Sequence, residues 1–278
     1  MTESSQPDSF DPGSQYRPRL LRWSADHEPW SSPIIDNPDE VVVWLVDLDG
    51  VDAETEDPPI EAWFGDVLNA EELVRAKRLI RPRDRIRFAR CRVALRSILG
   101  RIQGVPPARV SFGTGRYGKP FLESSSASET GRVVEFNVSH SGGLALVAVS
   151  PRRPLGVDLE RIRSISEVER IVSSFFTAAE QDKFASIDSA IRDAAFMRGW
   201  TRKESILKGT GKGLAGGASR YETLFGTTPL SREFAPVSPS PIVAGWMLWE
   251  VGIEEGYVAT LAVATDPIVE IERRVSSS

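Results

Sequence analysis

One helix limits what this chain can become. The stretch "GWTRKESILKGTGKGL" (199–214) continues a helical pattern that begins near residue 189. At 100° per residue, Phe196, Met197, Trp200, Ile206 and Leu207 form one apolar arc, and Lys203 and Glu204 fall inside it. A buried ammonium or carboxylate is costly unless it is paired or bound to a cation. Two readings follow. Either Lys203 snorkels along its stem while Glu204 pairs with Lys208 one turn on, or Glu204 meets a metal with Lys203 and Lys208 at phosphates around it.

The rest of the chain supplies a setting for such a helix. With 278 residues, 41% of them apolar, it can build one large domain or two modest ones. Net charge is 34 − 39 = −5, which gives no footprint of duplex nucleic-acid binding. A single cysteine, Cys91, excludes an internal disulfide and a multi-cysteine zinc site. No apolar run approaches the ~20 residues of a membrane span, and a cytoplasmic location is expected. Charge is uneven: Arg75 to Arg101 holds eleven Lys or Arg and one acid, Asp84. Such a tract is either a solvated basic face or a cradle for phosphates or an acidic partner.

Along the chain, residues 1–38 are rich in Ser, Pro and Asp and read as a flexible tail. "VVVWLVDLD" (41–49) reads as a strand, and Asn69 with Glu72 as a capping box opening a helix. After Pro82 a second helix runs to Gly100 or Gly104. "RVVEFNVSHSGGLALVAVS" (132–150) reads as a hairpin turning at Gly142-Gly143, and "GVDLE" as a further strand. Thr177 and Glu180 cap a helix, the long helix runs to Gly209, and "IVAGWMLWEV" with "YVATLAVAT" makes a last hairpin. Strand, helices and hairpin thus occur twice. The pattern predicts an α+β protein of two similar lobes, 39–152 and 153–278, behind the tail 1–38.

Alternation in a strand puts Asp158 and Glu160 on one face. They are either two solvated acids or hard oxygen ligands for Mg²⁺, with Glu204 as a third. "GTGKG" is not a phosphate loop, since Ile206 stands where the first Gly is required, Gly213 follows Lys212, and the segment ends a helix. Ser139 and His140 are adjacent and face opposite ways, so they do not make a hydrolase pair, and no G-x-S-x-G elbow occurs. His140 is either a phosphate donor or a buried strand-end histidine, and His27 is incidental.

FNVSHS, GVDLE and WTRKESILK with its trailing GTGKGL, preceded by RYGKPFL, resemble in order and spacing the two-lobed, Sfp-type 4′-phosphopantetheinyl transferases, over residues 40–265. That resemblance implies two similar α+β lobes with the active site between them, usually in a monomer. It implies an enzyme moving the phosphopantetheine arm of coenzyme A to a serine of an acyl or peptidyl carrier protein, with adenosine 3′,5′-bisphosphate released. Asp158, Glu160 and Glu204 become Mg²⁺ ligands, and Glu204 or a metal-bound water takes the serine proton. Ser139 and His140 hold coenzyme A phosphates, Lys119 and Lys208 match phosphate-contacting lysines, and Lys203 sits in the same motif. Arg87 and Arg90 are candidates for coenzyme A within the basic tract, which also suits an acidic carrier surface; Arg83, Arg85 and Arg92 are the first candidates for carrier contact. The alternatives are a non-catalytic coenzyme A or carrier-binding relative and a Mg²⁺-dependent phosphohydrolase. No nucleic acid or membrane partner is expected.

Overall fold

The computed structural model describes residues 18–23, 35, 37, 40–49, 59–123, 134–213, 217–223, 225, 234–236, 242–243 and 245–265. The first half of the chain runs β1 (Arg19–Trp23), β2 (Val42–Asp47), α1 (Ile60–Phe64), α2 (Ala70–Arg78), α3 (Pro82–Gln103), β3 (Phe112–Thr114), β4 (Pro120–Leu122), β5 (Glu135–Ser141) and β6 (Leu144–Ser150). The second runs β7 (Leu155–Arg161), α4 (Val168–Phe175), α5 (Ala178–Ala185), α6 (Ser189–Thr210), β8 (Phe234–Pro236), β9 (Ile242–Val243), β10 (Trp246–Val251) and β11 (Tyr257–Ala264).

Beside a small β3-β4 pair, two larger sheets result, ordered β1-β2-β6-β5 and β7-β11-β10-β8, with β9 also on β10. In each, the opening strand pairs antiparallel with the returning strand of its hairpin, β2 with β6 and β7 with β11. The α+β character and the repeated pattern are therefore both present. The N-terminal region departs from the expected tail: residues 19–23 form β1, which pairs parallel with β2 from Arg19↔Val42 to Trp23↔Val46. Leu20, Leu21 and Trp23 carry that strand onto the core, a signal that the Ser, Pro and Asp around it conceal. His27 and the polar loop over 124–131 lie outside the described residues, as does most of 228–241.

The strands are apolar on both faces because both faces are covered. Val42, Trp44 and Val46 with Ala145, Val147 and Val149 meet Leu95, Ile98 and Leu99 of α3. The opposite faces of the two sheets meet each other, through Val43, Leu45 and Leu146 on one side and Leu155, Val157, Leu159, Met247 and Leu261 on the other. The outer face of the second sheet packs Trp246, Leu248 and Ala262 against Ile206 of α6. The layers are helix, sheet, sheet, helix. Among the described residues no helix is long and apolar enough to cross a membrane.

Helix ends follow local chemistry. Asn69 and Thr177 form full capping boxes with Glu72 and Glu180. α3 passes through Gly100 and stops at Gly104, whose φ of 71° suits a left-handed cap. α6 likewise runs past Gly209 to a left-handed cap at Gly211. The short helices α1 and α4 were not anticipated: α1 has only five residues, and neither opens with a side-chain cap of the kind that marks α2 and α5.

Gly156 decides how close α6 comes to β7. A Cβ there would lie 2.0 Å from the Ser205 carbonyl oxygen and 2.4 Å from the Gly209 nitrogen. Both are backbone atoms that no rotamer change can move. Gly156→Ala should therefore destabilise the protein by about 3 kcal/mol, the upper end of overpacking costs. Urea denaturation of the purified variant measures it, and a loss below about 1 kcal/mol would mean that the helix–strand contact is looser than described.

Candidate active site

The close approach of α6 to β7 sets Glu204 and Lys208, one turn apart, over the face of β7 that carries Asp158 and Glu160. Asp158 is only 3% exposed. Its Oδ1 accepts from Lys208 Nζ at 2.6 Å and from Ser139 Oγ at 3.0 Å. Its Oδ2 is buried with no hydrogen-bond partner. Glu160 accepts from Ser141 Oγ at 2.9 Å. Burial, and then the Asp158 charge, hold the Glu160 carboxyl above its ordinary range. The same two causes push Glu204 to about 7, against the pull of Lys208.

Glu160 and Glu204, raised by burial and then by the Asp158 charge, mark a site short of positive charge. Together with the orphaned buried oxygen of Asp158, this donor set of hard oxygens suits a divalent cation held with phosphates. The fit is one of composition and charge rather than of a finished cage. Among the described residues no three His, Cys, Asp or Glu side chains converge closely enough to hold a metal as they stand. The Lys208 ammonium lies on Asp158, and Ser141 holds Glu160.

β5 runs beside β7 and sorts its side chains by alternation. Asn137, Ser139 and Ser141 turn toward β7 and accept from the N–H groups of Val157, Leu159 and Arg161 at 2.9, 3.2 and 3.1 Å. Ser139 also accepts from Lys208 Nζ at 2.9 Å. A hydroxyl has one proton and two lone pairs, and Ser139 places its proton on Asp158. A contact of Ser139 with a coenzyme A phosphate, as the resemblance implies, would require that proton to leave Asp158. His140 faces the other way and lines a cavity of about 720 Å³ with Arg75, Arg87, Arg92, Phe88, Phe112 and Cys91. The surroundings desolvate its ring, and Lys208 and Arg75 add repulsion, so its pKa lies below the usual imidazole value. The Cys91 thiol is pushed up to about 11 by burial, which leaves it an inert wall.

The remaining candidates divide. Arg87 reaches the same cavity but forks onto Asp49 at 2.6 and 2.7 Å, and Arg83 shares that carboxylate at 3.3 and 3.0 Å. Their hydrogen bonds, Arg87 first, keep Asp49 below its ordinary range. Arg90 is half-buried on α3. Lys119, in the β3–β4 turn, donates to Leu155 O at 3.2 Å and Gly209 O at 2.8 Å, clasping the end of α6 where phosphate contact was expected. Arg92 and Arg96 both bind Glu72, and Arg85 binds the Leu79 carbonyl at 2.8 Å. Of the three arginines first considered for carrier contact, only Arg83 is largely exposed. Arg75, which projects from α2 beside His140, was hidden among ten neighbours of the same type.

Lys203 does not join the site. It is 1% exposed, pairs with Glu180 at 2.8 Å, and donates to the carbonyls of Ala218 and Tyr221 above the Phe176 ring. It turns toward α5 while Glu204, its neighbour, turns toward β7. Its assignment to coenzyme A is corrected, because every direction its ammonium faces is filled by protein.

Comparison with known proteins places this geometry. Residues 154–261 match the family described as "4'-phosphopantetheinyl transferase superfamily", and residues 59–152 match "4'-phosphopantetheinyl transferase, N-terminal". The chain is similar to 4'-phosphopantetheinyl transferase HetI of Nostoc, 37% identical over 226 residues that make up 81% of this chain and 88% of the relative. A putative 4'-phosphopantetheinyl transferase of Synechocystis is 34% identical over 59% of this chain and 65% of its own. 4'-phosphopantetheinyl transferase Sfp of Bacillus subtilis is 28% identical over 55% and 64%. With two adjoining family matches, and one relative aligned along most of both chains, this protein belongs to the 4′-phosphopantetheinyl transferase superfamily.

Proposed function

We propose that this transferase moves the 4′-phosphopantetheine arm of coenzyme A onto a serine of an apo acyl or peptidyl carrier protein. The observation that carries the reading is the placing of a carboxylate trio, Asp158, Glu160 and Glu204, on one side of β5, and on the other of a cavity that presents His140, Arg75, Arg87 and Arg92 beside Glu71, Glu72 and Asp84. A polyanion bridging the two would need a cation at one end and fixed donors at the other. Family membership supplies the group transferred, and the names of the relatives support the reaction class.

In this reading the carrier serine oxygen attacks the phosphorus next to the pantetheine. The bond from that phosphorus to the bridging oxygen breaks, and adenosine 3′,5′-bisphosphate leaves with the electron pair. Asp158, Glu160 and Glu204 would hold Mg²⁺, which supplies charge neutralisation at the pyrophosphate. Lys208 stands beside Asp158 and adds a second positive charge where the leaving group forms. Glu204, near neutrality in its pKa, is the candidate to take the serine proton. His140, with Arg75 near it, binds the 3′-phosphate, and Arg87 offers a further guanidinium at the cavity wall. Arg90 remains a candidate for the same ligand, and the exposed basic residues of α2, Arg75 to Arg78, suit an acidic carrier surface.

Three outcomes test this. Incubation with coenzyme A, Mg²⁺ and an apo carrier should add the phosphopantetheine mass to the carrier. Asp158→Ala should abolish that addition while circular dichroism stays unchanged. Product formation in excess chelator, or by Asp158→Ala at the normal rate, would overturn the reading.

His140→Ala should weaken coenzyme A binding more than it slows transfer. A charge-assisted hydrogen bond is worth about 1.5–3 kcal/mol, or roughly 10- to 150-fold in affinity. The 3′-dephospho analogue isolates the contact: the variant should lose most of the preference for coenzyme A over it. A preference kept at full size means that His140 serves something else.

Glu204 also predicts a pH signature. Its folded pKa, about 7, lies above the ordinary 4.5. Between those values the folded protein keeps a proton that the unfolded chain releases, so rising pH favours unfolding and the penalty levels off above 7. Glu204→Gln should therefore stabilise metal-free protein at pH 8, by at most about 3 kcal/mol, with little change near pH 4.5. Thermal melts in chelator measure this, and Mg²⁺ should raise the melting temperature of the unaltered protein far more than that of the variant. Equal melts at pH 8 would show that Glu204 is not crowded by its neighbours.

A further inference from the structure

The row of contacts from β5 to β7 does two jobs, and only one of them is structural. Asn137, Ser139 and Ser141 each accept a main-chain N–H of β7, from residues 157, 159 and 161. The two serines then spend their single proton on the carboxylate that precedes that N–H: Ser139 on Asp158 Oδ1 at 3.0 Å, Ser141 on Glu160 Oε2 at 2.9 Å. At the asparagine step the preceding residue is Gly156, and there is no carboxylate to hold.

We infer that Ser139 and Ser141 are positioning residues, which aim the oxygens of Asp158 and Glu160 at the bound cation. The inference rests on the proposed reading of these carboxylates as cation ligands. A hydroxyl accepting from a fixed main-chain N–H has little freedom left in its own torsion, so its proton points in one direction. Glu160 is half-buried on a long side chain, and with one oxygen tied to Ser141 the carboxylate is restrained. Asp158 is held in the same manner, and its untied Oδ2 is the buried oxygen that lacks a partner.

Ser141 is the cleaner one to test, because Ser139 also meets Lys208. The probe is Mn²⁺ alone, titrated into metal-free full-length protein and followed by the paramagnetic signal of the free ion. Ser141→Ala should bind Mn²⁺ about tenfold more weakly, the usual cost of removing a partner of a metal ligand. In the transfer assay it should need correspondingly more Mg²⁺, with kcat nearly restored at saturation. Ser141→Thr, which keeps the hydroxyl, should recover most of the loss. Asn137→Ala removes the same kind of main-chain bond without touching a carboxylate, so it should lower Tm and leave Mn²⁺ affinity unchanged. If Ser141→Ala does not fold, Ser141→Cys, similar in size with a weak donor, should show the same loss of affinity. Unchanged affinity in the Ser141 variants, or an equal loss in Asn137→Ala, would overturn the positioning role alone. If the unaltered protein binds no Mn²⁺, the reading of the carboxylates as cation ligands falls first and this inference with it.

Discussion

β7 is the edge of its sheet, and its outward N–H groups have no strand beside them to accept their protons. An exposed row of this kind is normally paired, covered or charged. Here side chains of β5 take the place of a strand, with one oxygen for every second residue. Each such bond is modest, about 1 kcal/mol net, but leaving a buried N–H unmet costs about 1–3 kcal/mol. The two lobes are thus fixed along an edge as well as face to face, where Leu45, Leu146, Val157 and Leu261 share one core. Apolar contact between faces tolerates sliding; a row of directional bonds sets the register. Since β5 carries His140 and β7 carries the carboxylates, the same register sets the site.

A second arrangement repeats in both lobes. Glu72 and Glu180 are the capping-box residues of α2 and α5, and each also receives a cation from the long helix of its lobe. Arg92 and Arg96 of α3 reach Glu72, and Lys203 of α6 reaches Glu180. Burial pushes the Lys203 ammonium below its ordinary pKa, with Glu180 pulling the other way. Burial also works against the Glu180 carboxylate, but Lys203 and the N–H groups of Thr223 and Thr177 outweigh it and leave its pKa lowered. Such a pair adds little net stability over a well-packed apolar one, and removing one partner is what costs. Its use lies in direction: it fixes the rotation of α6 about its axis, and with it the face on which Glu204 and Lys208 stand.

The anomaly of Lys203 and Glu204 was readable from periodicity, because a charge inside an apolar arc stands out in any helix. What the pattern could not distinguish was whether the two charges share one destination. Adjacent helical residues point about 100° apart, and in a helix buried nearly all round, two such directions meet different neighbours. Glu180 was legible as a cap, a local role, while its bond to Lys203 depends on tertiary placement. Asp158 and Glu160 were legible from strand alternation, and Ser139 and His140 from the same rule. That Asn137, Ser139 and Ser141 form one polar face was present in "NVSHS" but carries no meaning until β7 is known to lie beside it. The basic tract misled for the opposite reason. Its composition is uniform, yet its members are spent differently, Arg96 in the core, Arg85 on a carbonyl, Arg83 and Arg87 on Asp49.

The pleat of β5 also explains how one site holds charges of opposite sign. Odd residues, 137 to 141, face β7 and its carboxylates, and His140 between them faces the cavity where Arg75 stands. A single strand thus separates an acidic half from a basic half by no more than its own thickness. Brought together in water, the two halves would neutralise each other in surface ion pairs of little energetic consequence. Burial first, and charge of like sign nearby second, raise the pKa of Glu204 and lower that of His140. Lys208 is the exception that joins the halves: it donates to Asp158 and repels the charged form of His140.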